Sequence, residues 1–447
     1  MQPLRTLHAL ALAALLATPV LAQLNPPPGP AQPPQAPAKP EEKVEPPKPL
    51  DKTLTDAIAR SYATAEHWAL QAIVLLSLGN DFHPVGAVPL TAALRAEDVR
   101  LRPYAAEVLR GMEPAKLACV ATPELVDALV EVASKEKNEL LSSRAAEVLA
   151  RLFVDGPGLE RKNWKRFWQT RRETYAIAAW QPPPSQAADG RSSAGAFIER
   201  AFDLRDAGLD LAIVIDSTGS MQAAIDIARD AIYDMVSLLS GVAPKLRLGV
   251  VHYKDVTDFS DGAQLLVPMT KKQEVVRESL AKLVANGGGD LPENVDKGLE
   301  IALGKEMDWN KEANRLILVI GDAPPHPSSM GAVLQLVKDA HDKPFVRGSK
   351  PLSGKREPLK PFITSTIATS QACKAEFEQI AKAGGGASVY MEVRNGGGRA
   401  TNDVEPAQAA RSVVEHVLLL SFGAQHRPQL QRFTRVFFEY RDAGLFK

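Results

Sequence analysis

The C-terminal half of this 447-residue chain reads as an α/β fold built on a doubly wound, mostly parallel six-stranded sheet, preceded by an all-α domain of helical repeats. Three observations carry that reading. From about Phe197 onward, short and almost wholly apolar runs alternate with amphipathic segments, and strands apolar on both faces belong in a sheet covered by helices on both sides. From about Asp51 to Trp180 the apolar residues instead recur at helical spacing. Within that stretch Ala105-Ala106-Glu107-Val108-Leu109 returns as Ala145-Ala146-Glu147-Val148-Leu149, an offset of 40 residues (145 − 105) that suits a two-helix repeat.

Taken in order, the chain opens with Arg5, a short apolar core from Leu7 to Leu16, and Pro19-Val20-Leu21-Ala22 ahead of Gln23. This pattern predicts a secretory signal peptide over residues 1–22, cut after Ala22, and a secreted or periplasmic protein. The core is too short to span a bilayer comfortably, and no other segment is long and apolar enough to do so. Eleven of the 34 prolines lie between Pro26 and Pro49, so 23–50 reads as an extended, unfolded tether. The helical domain is placed at 51–180, with Trp164, Phe167, Trp168 and Tyr175 as an aromatic stripe packed on its last repeat. Gln181-Pro182-Pro183-Pro184 opens a linker over 181–196. The α/β domain is placed at 197–424, with 425–447 as a C-terminal extension.

Expected strands run Leu209 to Ile215, Leu246 to His252, Ala263 to Met269, Arg315 to Gly321, Phe362 to Ala368 and Ser388 to Met391. Expected helices lie near Ser220 to Leu239, Lys271 to Ala285, Pro292 to Gly304, Ser329 to His341, Ala372 to Ala383 and Pro406 to Leu420. Asp342 to Pro361 reads as a polar inserted loop. Lys+Arg and Asp+Glu both number 53, and that neutral balance argues against a nucleic-acid or anionic-membrane partner. Cys119 and Cys373 fall in different expected domains and read as two buried free thiols.

Ligands of an open parallel sheet bind beyond the carboxyl ends of its strands, and three loops there carry oxygen-bearing side chains. The first is Asp216-Ser217-Thr218-Gly219-Ser220, where alternation puts Asp216, Thr218 and Ser220 on one side of the turn. The second, Gly287-Gly288-Gly289-Asp290-Leu291-Pro292-Glu293, offers Asp290, with Glu293 expected in the first helical turn. The third offers Asp322, directly after the strand ending at Gly321. Carboxylates and hydroxyls without Cys or His favour Mg²⁺, Mn²⁺ or Ca²⁺ over zinc or copper. Asp255, after another strand at the same edge, has three open readings: an outer-layer residue of the site, with Glu293, a residue that helps hold a second cation, or a solvated turn.

With these three loops in place, residues 207–424 resemble the von Willebrand factor type A family and its metal-ion-dependent adhesion site. That site uses an Asp-x-Ser/Thr-x-Ser loop, a Thr from a second loop and an Asp from a third. Position by position the resemblance implies Asp216, Thr218, Ser220 and Asp322 as metal ligands, with Asp290 where the family usually has Thr. A third carboxylate favours metal binding and lessens the need for an acidic partner to complete the charge. The helical region, on its pentapeptide and period, is similar to HEAT-type repeats. Together with the export expected from the N-terminal pattern, the resemblance implies a non-enzymatic binding or scaffold protein that grips a protein partner through an acidic or other oxygen ligand on the metal.

Two alternatives stand beside it. One is a structural scaffold whose metal only stabilises the loops. The other is a metal-dependent hydrolase with His326 or Asp255 as base. His252, His326 and His341 lack zinc-ligand spacing, and neither Ser217 nor Ser220 has a recognisable His partner in its sequence context.

Overall fold

The structure is a computed structural model that describes residues 61–78, 84–179, 193–255, 261–288, 291–342, 360–392 and 406–446. The expected signal peptide, proline-rich tether, most of the 181–196 linker, Asp290 and nearly all of the inserted loop lie outside the described residues. No described helix is long and apolar enough to cross a membrane.

Six strands form the sheet: β1 (Leu209–Asp216), β2 (Leu246–Tyr253), β3 (Ala263–Thr270), β4 (Asn314–Gly321), β5 (Phe362–Ala368) and β6 (Gly385–Tyr390). Their order is β3-β2-β1-β4-β5-β6, parallel throughout except for the antiparallel β2–β3 pair. β1, at the centre, is buried at all eight positions, as its sequence LDLAIVID requires of a strand covered on both faces. Its alternation divides the core: Leu211, Ile213 and Ile215 face one apolar cluster, Ala212 and Val214 the other.

The second cluster is closed by three helices, Val295–Ala302, Pro327–Asp342 and Lys374–Ala383. On the opposite face lie Gln222–Val242 and Pro406–Phe422, and here the core runs on without a break into the helical region. Helix Trp68–Leu78 approaches Gln222–Val242 so closely that a Cβ on Gly241 would lie 2.6 Å from that of Ala69. Both pentapeptides are helical, within Leu101–Gly111 and Glu139–Leu152, and their Ala, Val and Leu side chains are fully buried. The expected aromatic stripe closes around Phe153, whose ring meets those of Trp164, Phe167, Trp168 and Tyr175.

Several boundaries differ from expectation for physical reasons. Ser193–Ala207 is helical because Phe197 and Leu204 bury completely, so a helix begins inside the expected linker. The segment expected as a C-terminal extension contains the helix Arg427–Asp442, which packs on the helical region. Trp68 stacks on Phe433 and Phe437, and the Tyr104 hydroxyl donates to the Phe433 carbonyl at 3.1 Å. The helix expected from Pro292 begins only at Val295, because Glu293 is extended and donates its N–H to the Pro324 carbonyl at 3.0 Å. Both cysteines are free thiols, and Cys119 is only half-buried rather than buried.

Candidate metal centre

Register places the candidate residues. Asp216 ends β1 opposite Tyr253 of β2, and Ile215 pairs with Ile320, so Gly321 is level with Asp216 and Asp322 lies one residue beyond. The Thr218 N–H and hydroxyl both donate to Asp216 Oδ1, each at 2.8 Å, an Asx-type turn that locks the carboxylate. Asp216 is 0% and Thr218 3% exposed, whereas Ser220, in a single 3-10 turn (Gly219–Met221) before the helix, is exposed. The loop thus has a buried end and an open end.

The second loop is tied to the first by backbone bonds. Gly219 N–H donates to the Gly287 carbonyl at 3.0 Å and Asn286 N–H to the Ser217 carbonyl at 3.2 Å. Gly288 has φ +72°, and a Cβ there would lie 2.9 Å from that of Thr218, so both conformation and space demand glycine. Glu293, at 2% exposure, sits inside this loop system, its Oε1 near the same point above Gly288. It is therefore not the helix-start residue expected from sequence. Asp255 is buried at 6% exposure and is not a solvated turn residue.

The electrostatics follow from this burial. Asp216 is pushed up from 3.8 to about 7, first by loss of solvent and then by repulsion from Asp322, against the pull of the Thr218 hydrogen bonds and Lys254. Its Oδ2 is buried and has no hydrogen-bond partner among the described residues. The Tyr253 hydroxyl, in the space that glycine leaves at 321, is also buried without one, and burial raises its pKa well above the ordinary tyrosine range. Cys373 donates its thiol to the Gly321 carbonyl at 3.4 Å and is pushed up to about 12 by burial, which leaves it unreactive.

Two features escaped the sequence reading. One is the contact of the Ser217 hydroxyl with His252 Nδ1 at 2.9 Å. This serine–histidine pair is closed to substrate, since Ser217 is 0% and His252 6% exposed, and burial followed by Lys254 lowers His252 to about 4. Lys254, 5% exposed, is the other, and its sequence context of a strand end gave no hint of burial. His341 Nδ1 contacts the Phe362 carbonyl at 3.1 Å, and among the described residues His252, His326 and His341 form no metal-holding group.

The donor set fits a hard divalent cation. A buried carboxylate oxygen lacks a partner among the described residues, a second carboxylate repels it, and the nearby hydroxyls are neutral oxygen donors. Among the described residues no three His, Cys, Asp or Glu side chains already form a cation cage. The structure brings Asp216 and Thr218 into contact and Asp322 within electrostatic reach.

Residues 210–393 match the family described as von Willebrand factor A domain. An alpha-protein kinase, vwkA, from Dictyostelium discoideum is 29% identical over 123 residues, covering 26% of this chain. The chain spans 19% of that relative's length. The crystal structure of the conserved hypothetical protein BatB from Bacteroides thetaiotaomicron is 14% identical, covering 48% of this chain and 100% of its own, with a TM-score of 0.35.

Proposed function

We propose that the von Willebrand factor A domain in residues 210–393 makes this chain an exported, non-enzymatic adhesion or scaffold protein that binds a protein partner through a divalent cation. Asp216, Thr218, Ser220, Asp290 and Asp322 would hold Mg²⁺, Mn²⁺ or Ca²⁺. When bound, the cation would supply a coordination position for a partner's carboxylate or other oxygen ligand. The observation that carries the reading is the orphaned Asp216 Oδ2, a buried acceptor whose carboxyl is already strained by its neighbour Asp322. Asp216 and Thr218 are positioned from beneath by β1 and its turn. Ser220, exposed, leaves that side of the loop open to a partner. The helical region, similar in its sequence period to HEAT-type repeats, would provide a second contact surface.

The near-complete burial of Asp216 and Thr218 favours one other reading, a cation that only stabilises the loops. A thermal-shift titration with Mg²⁺, Mn²⁺ and Ca²⁺ tests the metal. Wild type should gain stability with concentration, while Asp216→Ala should not respond. A flat wild-type titration sinks the metal reading. Capture of a partner from envelope extract separates the two roles: loss on chelation supports adhesion, and persistence supports the loop-stabilising role.

A further inference from the structure

Lys254 is a buried ammonium at the carboxyl edge of the sheet, 5% exposed, one residue past β2. Its Nζ donates to the Asn286 carbonyl at 2.8 Å and also bonds Asn286 Oδ1. Asn286 in turn donates its N–H to Ser217, and its neighbour Gly287 accepts from Gly219. One ammonium thereby joins the end of β2 to the second loop at the residue where that loop grips the first. The lysine's own backbone is held as well, its N–H on the Gly262 carbonyl at 3.1 Å and its carbonyl on Asn294 Nδ2 at 2.8 Å.

The charge has a second consequence. Asp216, Asp255 and Glu293 are buried and Asp322 is half-buried, all at this edge. Lys254 stands among that set: it follows Tyr253, the β2 partner of Asp216, and its Nζ is fixed on Asn286, whose N–H is bonded to the Ser217 carbonyl. A fixed positive charge among carboxylates lowers the attraction for any cation, and lowers it in proportion to the cation's charge.

We propose that Lys254 is a positioning and selectivity residue of the metal site: it ties the second loop in place through Asn286 and, as a resident positive charge, matches the site to divalent rather than trivalent cations. This rests on the metal reading above. The tie and the charge separate experimentally, because loss of loop order weakens every cation alike, whereas loss of charge strengthens a trivalent ion half as much again as a divalent one on a logarithmic scale.

The test measures affinities of the full chain for Mg²⁺ by calorimetry and for Tb³⁺ by sensitised luminescence. In Lys254→Met the Tb³⁺-to-Mg²⁺ affinity ratio should rise on the order of tenfold over wild type. In Asn286→Ala both affinities should fall by a similar factor, several-fold, with the ratio unchanged. An unchanged ratio in Lys254→Met, with wild type binding both ions, overturns the selectivity role. Unchanged affinities in Asn286→Ala, which loses the Oδ1 bond and keeps the carbonyl one, overturn the part of the tie made by the Asn286 side chain. If Lys254→Met does not fold, Lys254→Gln takes its place, and if neither folds the selectivity role is overturned in favour of a purely structural one. Wild type binding neither ion would instead remove the metal reading on which the inference stands.

Discussion

Asp216→Asn should reverse its effect on stability with conditions. The wild-type carboxyl is raised on folding from 3.8 to about 7, so the folded chain holds the proton more tightly than the unfolded one. Its contribution to stability is therefore highest below about pH 4 and declines as pH rises to about 7, without metal. At 1.36 kcal/mol per pH unit this amounts to about 4 kcal/mol by pH 8. Asparagine keeps the Oδ1 acceptor used by Thr218 but puts an N–H where Oδ2 lay, costing about 1–3 kcal/mol if it finds no acceptor. In chelator at pH 8 the variant should thus be about 1–3 kcal/mol more stable than wild type, and near pH 4 it should be about 1–3 kcal/mol less stable. Saturating Mg²⁺ should erase the advantage, since a cation at 100 times its Kd adds about 2.7 kcal/mol to wild type alone. Urea denaturation at pH 4, 6 and 8, with EDTA or Mg²⁺, measures all three. A stability difference between the two proteins that does not change with pH would refute the burial argument.

Other substitutions probe the scaffold. Gly288→Ala must hold φ at +72° with a Cβ 2.9 Å from Thr218, so it should lose about 1–3 kcal/mol in chelator, read as a lower melting temperature. If it melts with wild type, the second loop is not held against Thr218. Trp68→Ala removes an indole stacked on Phe433 and Phe437 and should cost about 3–5 kcal/mol by chemical denaturation. A loss below about 1 kcal/mol would show that the C-terminal helix is not docked on the helical region.

Much of the fold was legible because its signals are local. Largely apolar runs marked the strands, although β6 begins at Gly385, three residues before the expected Ser388, and the alternation with helices implied a mostly parallel sheet with its ligand edge at the strand ends. Asp322 stands where it was expected, directly after the strand that ends at Gly321, and one residue beyond the level of Asp216. Glu293 was misplaced because Pro292 is a strong helix-start signal, yet the backbone there pairs with Pro324 across the loop cluster. That competing bond joins residues from two loops and leaves no trace in either one's composition.

The same distinction separates what this sequence determines alone from what the folded chain adds. An apolar strand followed by Asp-x-Thr-x-Ser is enough to set a carboxylate and hydroxyls at a sheet edge, since strand periodicity and turn chemistry are properties of neighbouring residues. The partners that set the site's character are distant in the chain: Ser217 with His252, Lys254 with Asn286, Trp68 with Phe437. So are the burial that raises Asp216 and the long core joining the helical region to the sheet. Each depends on excluding water between segments tens to hundreds of residues apart, and only tertiary packing does that.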